Sequence, residues 1–118
     1  MSRIRLALAA AAAVALLVAA AAQSATPKLV GTVGPSFTIT LKKGTTKVTK
    51  LKAGKYTFVI RDKSNIHNFH LTGPVSKMFT TVAFQGTKTV TLRLKPGKYT
   101  YVCDPHASTM RGTFRVTA

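Results

Sequence analysis

One short segment near the end of the chain carries three side chains that bind soft metal ions. It covers residues 99–110 and reads Tyr-Thr-Tyr-Val-Cys-Asp-Pro-His-Ala-Ser-Thr-Met. Cys103, the single cysteine, is followed by His106 and Met110, so one loop offers a thiolate, an imidazole and a thioether. Thiolate and imidazole bind copper strongly, and a thioether is a weak axial ligand. A second histidine completes the trigonal set found in copper electron-transfer sites, so the segment predicts a copper-binding loop.

The second histidine is expected after an earlier copy of the same pattern. Leu-Lys-Ala-Gly-Lys-Tyr-Thr-Phe-Val-Ile-Arg-Asp at 51–62 parallels Leu-Lys-Pro-Gly-Lys-Tyr-Thr-Tyr-Val-Cys-Asp at 94–104. Each copy predicts a glycine turn that leads into a strand with alternating apolar side chains. His67 and His70 follow the first copy. Side chains three positions apart on an extended segment point to opposite faces, so only one of these histidines is expected to face the metal.

These motifs resemble the small blue-copper proteins of the plastocyanin, pseudoazurin and amicyanin type, the cupredoxins. The resemblance covers most of the chain after residue 25 and rests on the His-Asn pair at 67–68 and on the Tyr-x-Tyr-x-Cys-x-Pro-His motif at 99–106. It implies a β-sandwich in which a histidine at a strand end meets a Cys-His-Met loop between the last two strands. It also implies one copper ion, as Cu(I) or Cu(II), with four ligands and an asparagine that braces the loop: His67, Cys103, His106 and Met110, and Asn68.

Two details of the resemblance concern the surroundings of the metal. Three residues separate His106 from Met110, a spacing that differs from those of plastocyanin and amicyanin. The family also has an apolar surface patch around the histidine of the loop, through which the electron enters or leaves. The candidates to line it here are Phe69, Leu71, Pro74, Pro105 and Ala107.

The first 25 residues have the pattern of a secretory signal peptide. A basic start with Arg3 and Arg5 precedes an uninterrupted apolar run at 6–22, and small residues predict cleavage between 22 and 25. The run is rich in alanine and just short of the ~20 residues of a spanning helix, so cleavage is favoured over the alternative, a retained membrane anchor. We therefore expect an exported bacterial protein, located in the periplasm, at the cell surface or outside the cell.

Residues 26–118 are expected to form one small all-β domain that binds the copper. Their length suits a single modest core. Runs rich in valine, threonine, isoleucine and aromatic residues alternate with glycine and proline turns, which predicts a Greek-key β-sandwich of about seven to eight strands. The predicted strands are 28–33, 36–41, 46–51, 55–62, 68–71, 88–94, 98–103 and 112–117. Residues 75–84 are compatible with a strand, a short helical turn or an irregular segment.

The chain is strongly basic. It has 18 lysine and arginine residues against two aspartates, a net charge of +16, and loss of Arg3 and Arg5 with the signal peptide leaves +14. Such a charge attracts anionic partners in a salt-dependent way. For an exported chain these are acidic redox proteins, anionic membranes or cell-wall polymers, and nucleic acid is not expected. Because the lysines are spread along the chain, a merely solvated basic surface is an equally good interpretation. We expect a monomer.

The residue types argue against an enzyme. Asp62 and Asp104 are the only acids, so a Ser-His-Asp set and paired-carboxylate chemistry have little support. A cysteine nucleophile with His106 as its base is conceivable, but Met110 has no role in that mechanism.

The predicted function is therefore single-electron transfer between redox partners by an exported type 1 copper protein. Two alternatives remain: an extracytoplasmic carrier that hands over copper itself in homeostasis, and a cupredoxin-like binding module without a redox role.

Overall fold

The computed structural model of the protein describes residues 25–118, and nearly all regular structure in this range is β-strand. A single 3₁₀ turn, Asp104–His106, lies in the loop before the last strand. The predicted signal peptide lies outside the described residues except for Ala25. The ten strands are β1 Lys28–Val33, β2 Ile39–Lys43, β3 Thr46–Lys47, β4 Lys50–Lys52, β5 Gly54–Asp62, β6 Phe69–Thr72, β7 Lys77–Thr80, β8 Gly86–Leu94, β9 Gly97–Val102 and β10 Arg111–Thr117.

The strands form two five-stranded sheets that pack face to face. The order is β3-β2-β1-β5-β8 in the first sheet and β4-β10-β9-β6-β7 in the second. Neighbouring strands are antiparallel except for two parallel pairs, β1 with β5 and β4 with β10. The predicted all-β sandwich is confirmed.

The strand count exceeds the prediction for two reasons. The predicted strand 46–51 is divided between the sheets: β3 pairs with β2 in the first, and β4 pairs with β10 in the second. Val48 is buried at the crossing, where its N–H donates to the carbonyl of Leu41. In addition, the segment 75–84 contains β7, which pairs with β6 at the edge of the second sheet.

The two copies of the repeated sequence motif lie in different sheets and use the same local contact. β5 alternates buried and outward side chains from Tyr56 to Asp62, and β9 buries Tyr99 and Tyr101 in the same way. The hydroxyl of Tyr56 donates to the carbonyl of Lys52 at 2.6 Å, and that of Tyr99 donates to the carbonyl of Lys95 at 2.7 Å. In each copy the tyrosine therefore ties its strand to the preceding turn.

Aromatic packing fills the space between the sheets. The rings of Phe69 and Tyr101 stack with centroids 5.7 Å apart, and those of Tyr99 and Phe114 stack at 5.1 Å. Gly112 faces the ring of Tyr101 so closely that an added Cβ would overlap it. These buried contacts hold β6, β9 and β10 in fixed positions.

The sandwich brings the ends of several strands together at one edge. β5 ends and β6 begins on either side of His67, and β9 ends immediately before Cys103. β10 begins immediately after Met110. In residues 25–118 no helix has the length and apolar character needed to cross a membrane.

Candidate metal centre

Three metal-binding atoms converge at this edge of the sandwich. Sγ of Cys103 lies 3.6 Å from Nδ1 of His67 and 3.6 Å from Nδ1 of His106. The two Nδ1 atoms are 3.2 Å apart. Cys103 and His67 are fully buried, whereas His106 is only partly so. The predicted cysteine loop and the first of the two upstream histidines therefore meet in one cluster.

The size of this triangle fits a bound transition-metal ion. Nitrogen and sulfur ligands about 2.0–2.3 Å from a central ion in a trigonal plane are separated by roughly 3.5–4 Å. The two observed N–S distances of 3.6 Å fall in this range, and the N–N distance of 3.2 Å is slightly shorter. A thiolate with two imidazoles is a ligand set that copper favours. The residues present therefore fit one copper ion.

The loop that carries Cys103 and His106 is closed by backbone hydrogen bonds. The N–H of Cys103 donates to the carbonyl of Met110 at 3.0 Å, and the N–H of His106 donates to the carbonyl of Cys103 at 3.0 Å. Pro105 stands in the first turn of the 3₁₀ segment, where its missing N–H is not needed. The carbonyl of His106 accepts from the N–H of Met110 at 2.8 Å. The local backbone thus fixes the direction in which each side chain leaves the loop.

Met110 is completely buried at the end of the loop. With the three clustered side chains it forms a candidate site for one copper ion. Met78, the other methionine of the described residues, is partly exposed on β7, and its Sδ lies 3.1 Å from Nδ2 of Asn68.

The segment before His67 is shaped by side chains that bond to its own backbone. Oδ1 of Asp62 accepts the N–H of Ser64 at 3.2 Å, and Oγ of Ser64 accepts the N–H of Ile66 at 3.3 Å. Such local bonds replace the sheet pattern with a tight turn. They turn the chain back between β5 and β6 and direct His67 inward.

Asn68 connects this segment to the cysteine loop. Its Oδ1 accepts the N–H of Asp104 at 2.7 Å, and its Nδ2 donates to Oδ2 of Asp104 at 2.7 Å. Nδ1 of His70 lies 3.1 Å from both carboxylate oxygens of the same aspartate. Burial acts to raise the pKa of Asp104, but the hydrogen bonds from Asn68 and His70 outweigh it and lower that pKa below its ordinary value.

The structure separates the roles of His67 and His70, which the spacing left open. The ring of His67 turns inward to Cys103, and the ring of His70 lies on the outer side against Asp104. Nothing in the sequence around Asp104 indicated this contact, because it depends on the pairing of β6 with β9.

A comparison with family models gives one match, described as a cupredoxin-like domain, over residues 7–116. The chain belongs to the cupredoxin-like family. The resemblance drawn from the sequence motifs is therefore confirmed. No curated protein sequence matches this cupredoxin.

Solved structures support the same fold. A reduced amicyanin variant superposes with a TM-score of 0.51 at 22% identity, over 82% of this cupredoxin and 89% of the amicyanin chain. Reduced rusticyanin superposes with a TM-score of 0.51 at 23% identity, over 76% and 78% of the two chains.

The surface around the metal centre of this cupredoxin differs from the expectation. Phe69 and Leu71 are buried in the core, and Pro74 packs against Gly97 at the opposite end of β9 from Cys103. These three residues cannot line the predicted patch, because the alternation of β6 turns Phe69 and Leu71 inward. The remaining two candidates, Pro105 and Ala107, are exposed beside His106.

Sequence reasoning missed the principal apolar residue of this surface, Phe37. It lies in the turn between β1 and β2, and 61% of it is exposed. Its ring packs edge-on against the rings of His67 and His106, with centroids 5.3 Å and 4.9 Å away. Phe37 is far from the ligand motifs in sequence, so only the fold brings it to the site.

Proposed function

We propose that this cupredoxin is exported and carries single electrons between redox partner proteins. The proposed copper ligands are His67, Cys103, His106 and Met110, with Asn68 as the brace of the cysteine loop. The observation that carries the proposal is the triangle of one thiol and two imidazole nitrogens, with Cys103 and His67 fully buried and His106 partly buried. Reduced amicyanin and rusticyanin, which have the same fold, support a redox role.

The side chains hold a geometry that needs little change during the reaction. When bound, copper supplies the Cu(I)/Cu(II) couple and hence one electron at a time. His67 and Cys103 are held inside the sandwich, and the loop is closed from Cys103 to Met110. Asn68 ties the two ligand segments together through Asp104. Ligands fixed in this way keep their positions in both oxidation states, so the reorganisation that slows electron transfer is small.

His106 is the proposed route for the electron. It is the one proposed ligand that is not fully buried, and Phe37 and Ile66 expose apolar surface beside the histidines, 61% and 48% of their areas. A partner that docks on this surface excludes water and comes within a short distance of the copper. The high positive charge supports acidic redox partners.

Burial of the ligands favours electron transfer over delivery of copper. Cys103, His67 and Met110 have no exposed surface, so an acceptor protein cannot reach them in the described conformation. A copper carrier needs ligands that a partner can replace one by one. Rapid removal of copper by a chelator would therefore contradict the proposal.

The decisive experiment is a titration of the protein with Cu(II), followed by visible absorption and electron paramagnetic resonance. We expect an intense blue thiolate-to-copper band and a narrow copper hyperfine splitting, both complete at one equivalent. Cys103→Ser should remove the blue band, because a hydroxyl does not provide the thiolate. His70→Gln is the matched control: it changes the histidine on the outer side and should leave the band in place. A pale spectrum from the wild-type protein, or a blue Cys103→Ser variant, would refute the ligand assignment.

A further inference from the structure

Two buried side-chain atoms in residues 25–118 have no hydrogen-bond partner, and both lie near the proposed copper site. They are Oδ2 of Asp62 and Nε2 of His67. Asp62 is 2% exposed and His67 is 0% exposed, so water at the surface does not satisfy either atom. Buried polar groups nearly always have a partner, and those that lack a protein partner are commonly satisfied by an internal water molecule.

The two atoms are chemically complementary. In the proposed site His67 faces the metal with Nδ1, so the proton of its neutral ring lies on Nε2 and makes that atom a donor. Oδ2 of Asp62 is an acceptor with two lone pairs, so it can accept from a further donor besides the nearby Thr80 hydroxyl. A histidine that binds a metal usually donates its second ring N–H to a carboxylate, a carbonyl or a water, which fixes the tautomer and the orientation of the ring.

The surroundings place both groups against the same piece of backbone. The other carboxylate oxygen of Asp62 accepts the N–H of Ser64, which sets the orientation of the carboxylate. A Cβ atom at Gly34 would lie 3.0 Å from Cβ of Ser64 and 3.1 Å from Cδ2 of His67, the ring carbon bonded to Nε2. Asp62 and His67 are also close enough to interact electrostatically. Buried Gly34, Asp62 and His67 and half-buried Ser64 therefore form one corner of the structure.

We propose that Oδ2 of Asp62 accepts the Nε2–H of His67 through one buried water molecule, so that Asp62 is a positioning residue for a copper ligand. A water is needed because the two atoms do not form a direct hydrogen bond. The inference rests on the proposed function, since it requires His67 to bind copper through Nδ1. It explains why the inward-facing stripe of β5, which is otherwise apolar from Tyr56 to Ile60, ends in a carboxyl group.

Nuclear magnetic resonance of the ¹⁵N-labelled Cu(I) protein tests this bridge, because Cu(I) is diamagnetic. We expect a His67 Nε2–H signal that exchanges slowly with solvent. Asp62→Leu removes the acceptor, and Asp62→Asn keeps the shape but removes the charge. In Asp62→Leu the His67 Nε2 proton should exchange with solvent at least tenfold faster, or its signal should be lost. The signals of His106 should not change. Both variants should also have a raised reduction potential, because a carboxylate near the copper stabilises Cu(II).

Asp104→Asn is the matched control, since it removes the other acidic side chain. It should raise the potential through charge but leave the exchange of the His67 Nε2–H unchanged. A high-resolution structure of the copper protein should show one water within hydrogen-bond distance of Oδ2 of Asp62 and Nε2 of His67.

The outcomes separate this inference from the proposed function. If the wild-type protein gives a blue band but its His67 Nε2–H exchanges fast, or if Asp62→Leu leaves that signal unchanged, the inference is wrong and the function stands. If Asp62→Leu does not fold, the wild-type exchange rate and the presence or absence of the bridging water in the high-resolution structure still decide. If the wild-type protein gives no blue band, the proposed function fails first.

Discussion

At the scale of single residues, negative charge is concentrated at the metal centre. The chain has only two acidic side chains, and they stand next to different ligand segments. Asp104 follows Cys103 and is bonded to Asn68 and His70. Asp62 ends β5 beside His67. In a chain with so many cationic groups, these carboxyl groups place local negative charge where a cation is to be bound.

Replacement of Met110 by leucine should separate its packing from its role as a ligand. The two side chains have similar volumes, so Met110→Leu should keep the fold and the copper. We expect the blue band to persist and the reduction potential to rise, because loss of the thioether donor weakens the stabilisation of Cu(II). Spectroelectrochemistry measures both quantities. Met78→Leu is the control, and an equal shift in both variants would remove Met110 from the ligand set.

Burial of Asp62 should make the stability of the copper-free protein depend on pH. Burial raises the pKa of Asp62 above its ordinary value of 3.8, and the Thr80 hydroxyl, the Ser64 N–H and the charge of His67 offset this only in part. The folded state then binds a proton more tightly than the unfolded chain. The resulting stabilisation is complete below pH 3.8 and is lost as the pH rises through the folded-state pKa.

Asp62→Asn cannot ionise and should not show this loss. The free energies of unfolding of both proteins can be measured with urea over a series of pH values. The value for Asp62→Asn minus that for the wild type should increase as the pH rises. A difference between the two proteins that is constant with pH would contradict the raised pKa.

At the scale of elements, the repeated motif produces one local structure in two environments. Both copies tie a tyrosine hydroxyl to the carbonyl four residues earlier. The second copy adds a bond, because the N–H of Lys95 donates to the hydroxyl of Tyr99 at 3.0 Å. The turns before β5 and β9 are therefore stabilised by side chains rather than by sheet pairing alone.

Removal of these hydroxyls should cost stability in a graded way. Tyr56→Phe loses one hydrogen bond, and the expected cost is about 1 kcal/mol. Tyr99→Phe loses two bonds to Lys95 and should cost more. The bonds lie in separate turns, so the double variant should show the sum of the two effects. Denaturant unfolding measures all three, and a larger effect for Tyr56→Phe would contradict the hydrogen-bond pattern.

The sequence was most informative where structure is local. Cys103 and His106 share one loop, so their approach could be predicted from spacing and chemistry. The alternation of β5 and β9 likewise predicted their buried faces. The contacts of Asp104 with His70 and of Phe37 with the two histidines depend on which strands pair and which turns meet. The crossing of Val48 between sheets also depends on packing against Leu41, which no local pattern specifies.

At the scale of the whole molecule, positive charge dominates the long-range field. The net charge is +16 for the full chain, with both carboxyl groups at one edge of the sandwich. A redox partner that approaches from a distance experiences the net charge first. Within a Debye length, about 8 Å at physiological salt, the local charges at the docking surface take over.

Electron exchange with small ions should reveal this field. We expect the Cu(I) protein to be oxidised by anionic ferricyanide at a rate that falls as ionic strength rises, because salt screens the attraction. The rate with the cationic tris(phenanthroline)cobalt(III) ion should rise under the same conditions. Stopped-flow absorption measures both. A ferricyanide rate that rises with ionic strength, together with a cobalt rate that falls, would mean that Asp62 and Asp104 outweigh the distant lysines at the point of electron entry.

The closed ligand loop also bears on how such a protein changes over evolution. The hydrogen bond from the N–H of Cys103 to the carbonyl of Met110 joins the two ends of the loop directly to the ends of β9 and β10. Between those ends, the exposed residues Ala107 and Ser108 can be replaced without a change in the sheets, whereas Asp104 is bonded to Asn68 beside His67. Such a loop can change in sequence at its exposed turn, while buried Cys103 and Met110 belong to the core of the scaffold and are expected to change least.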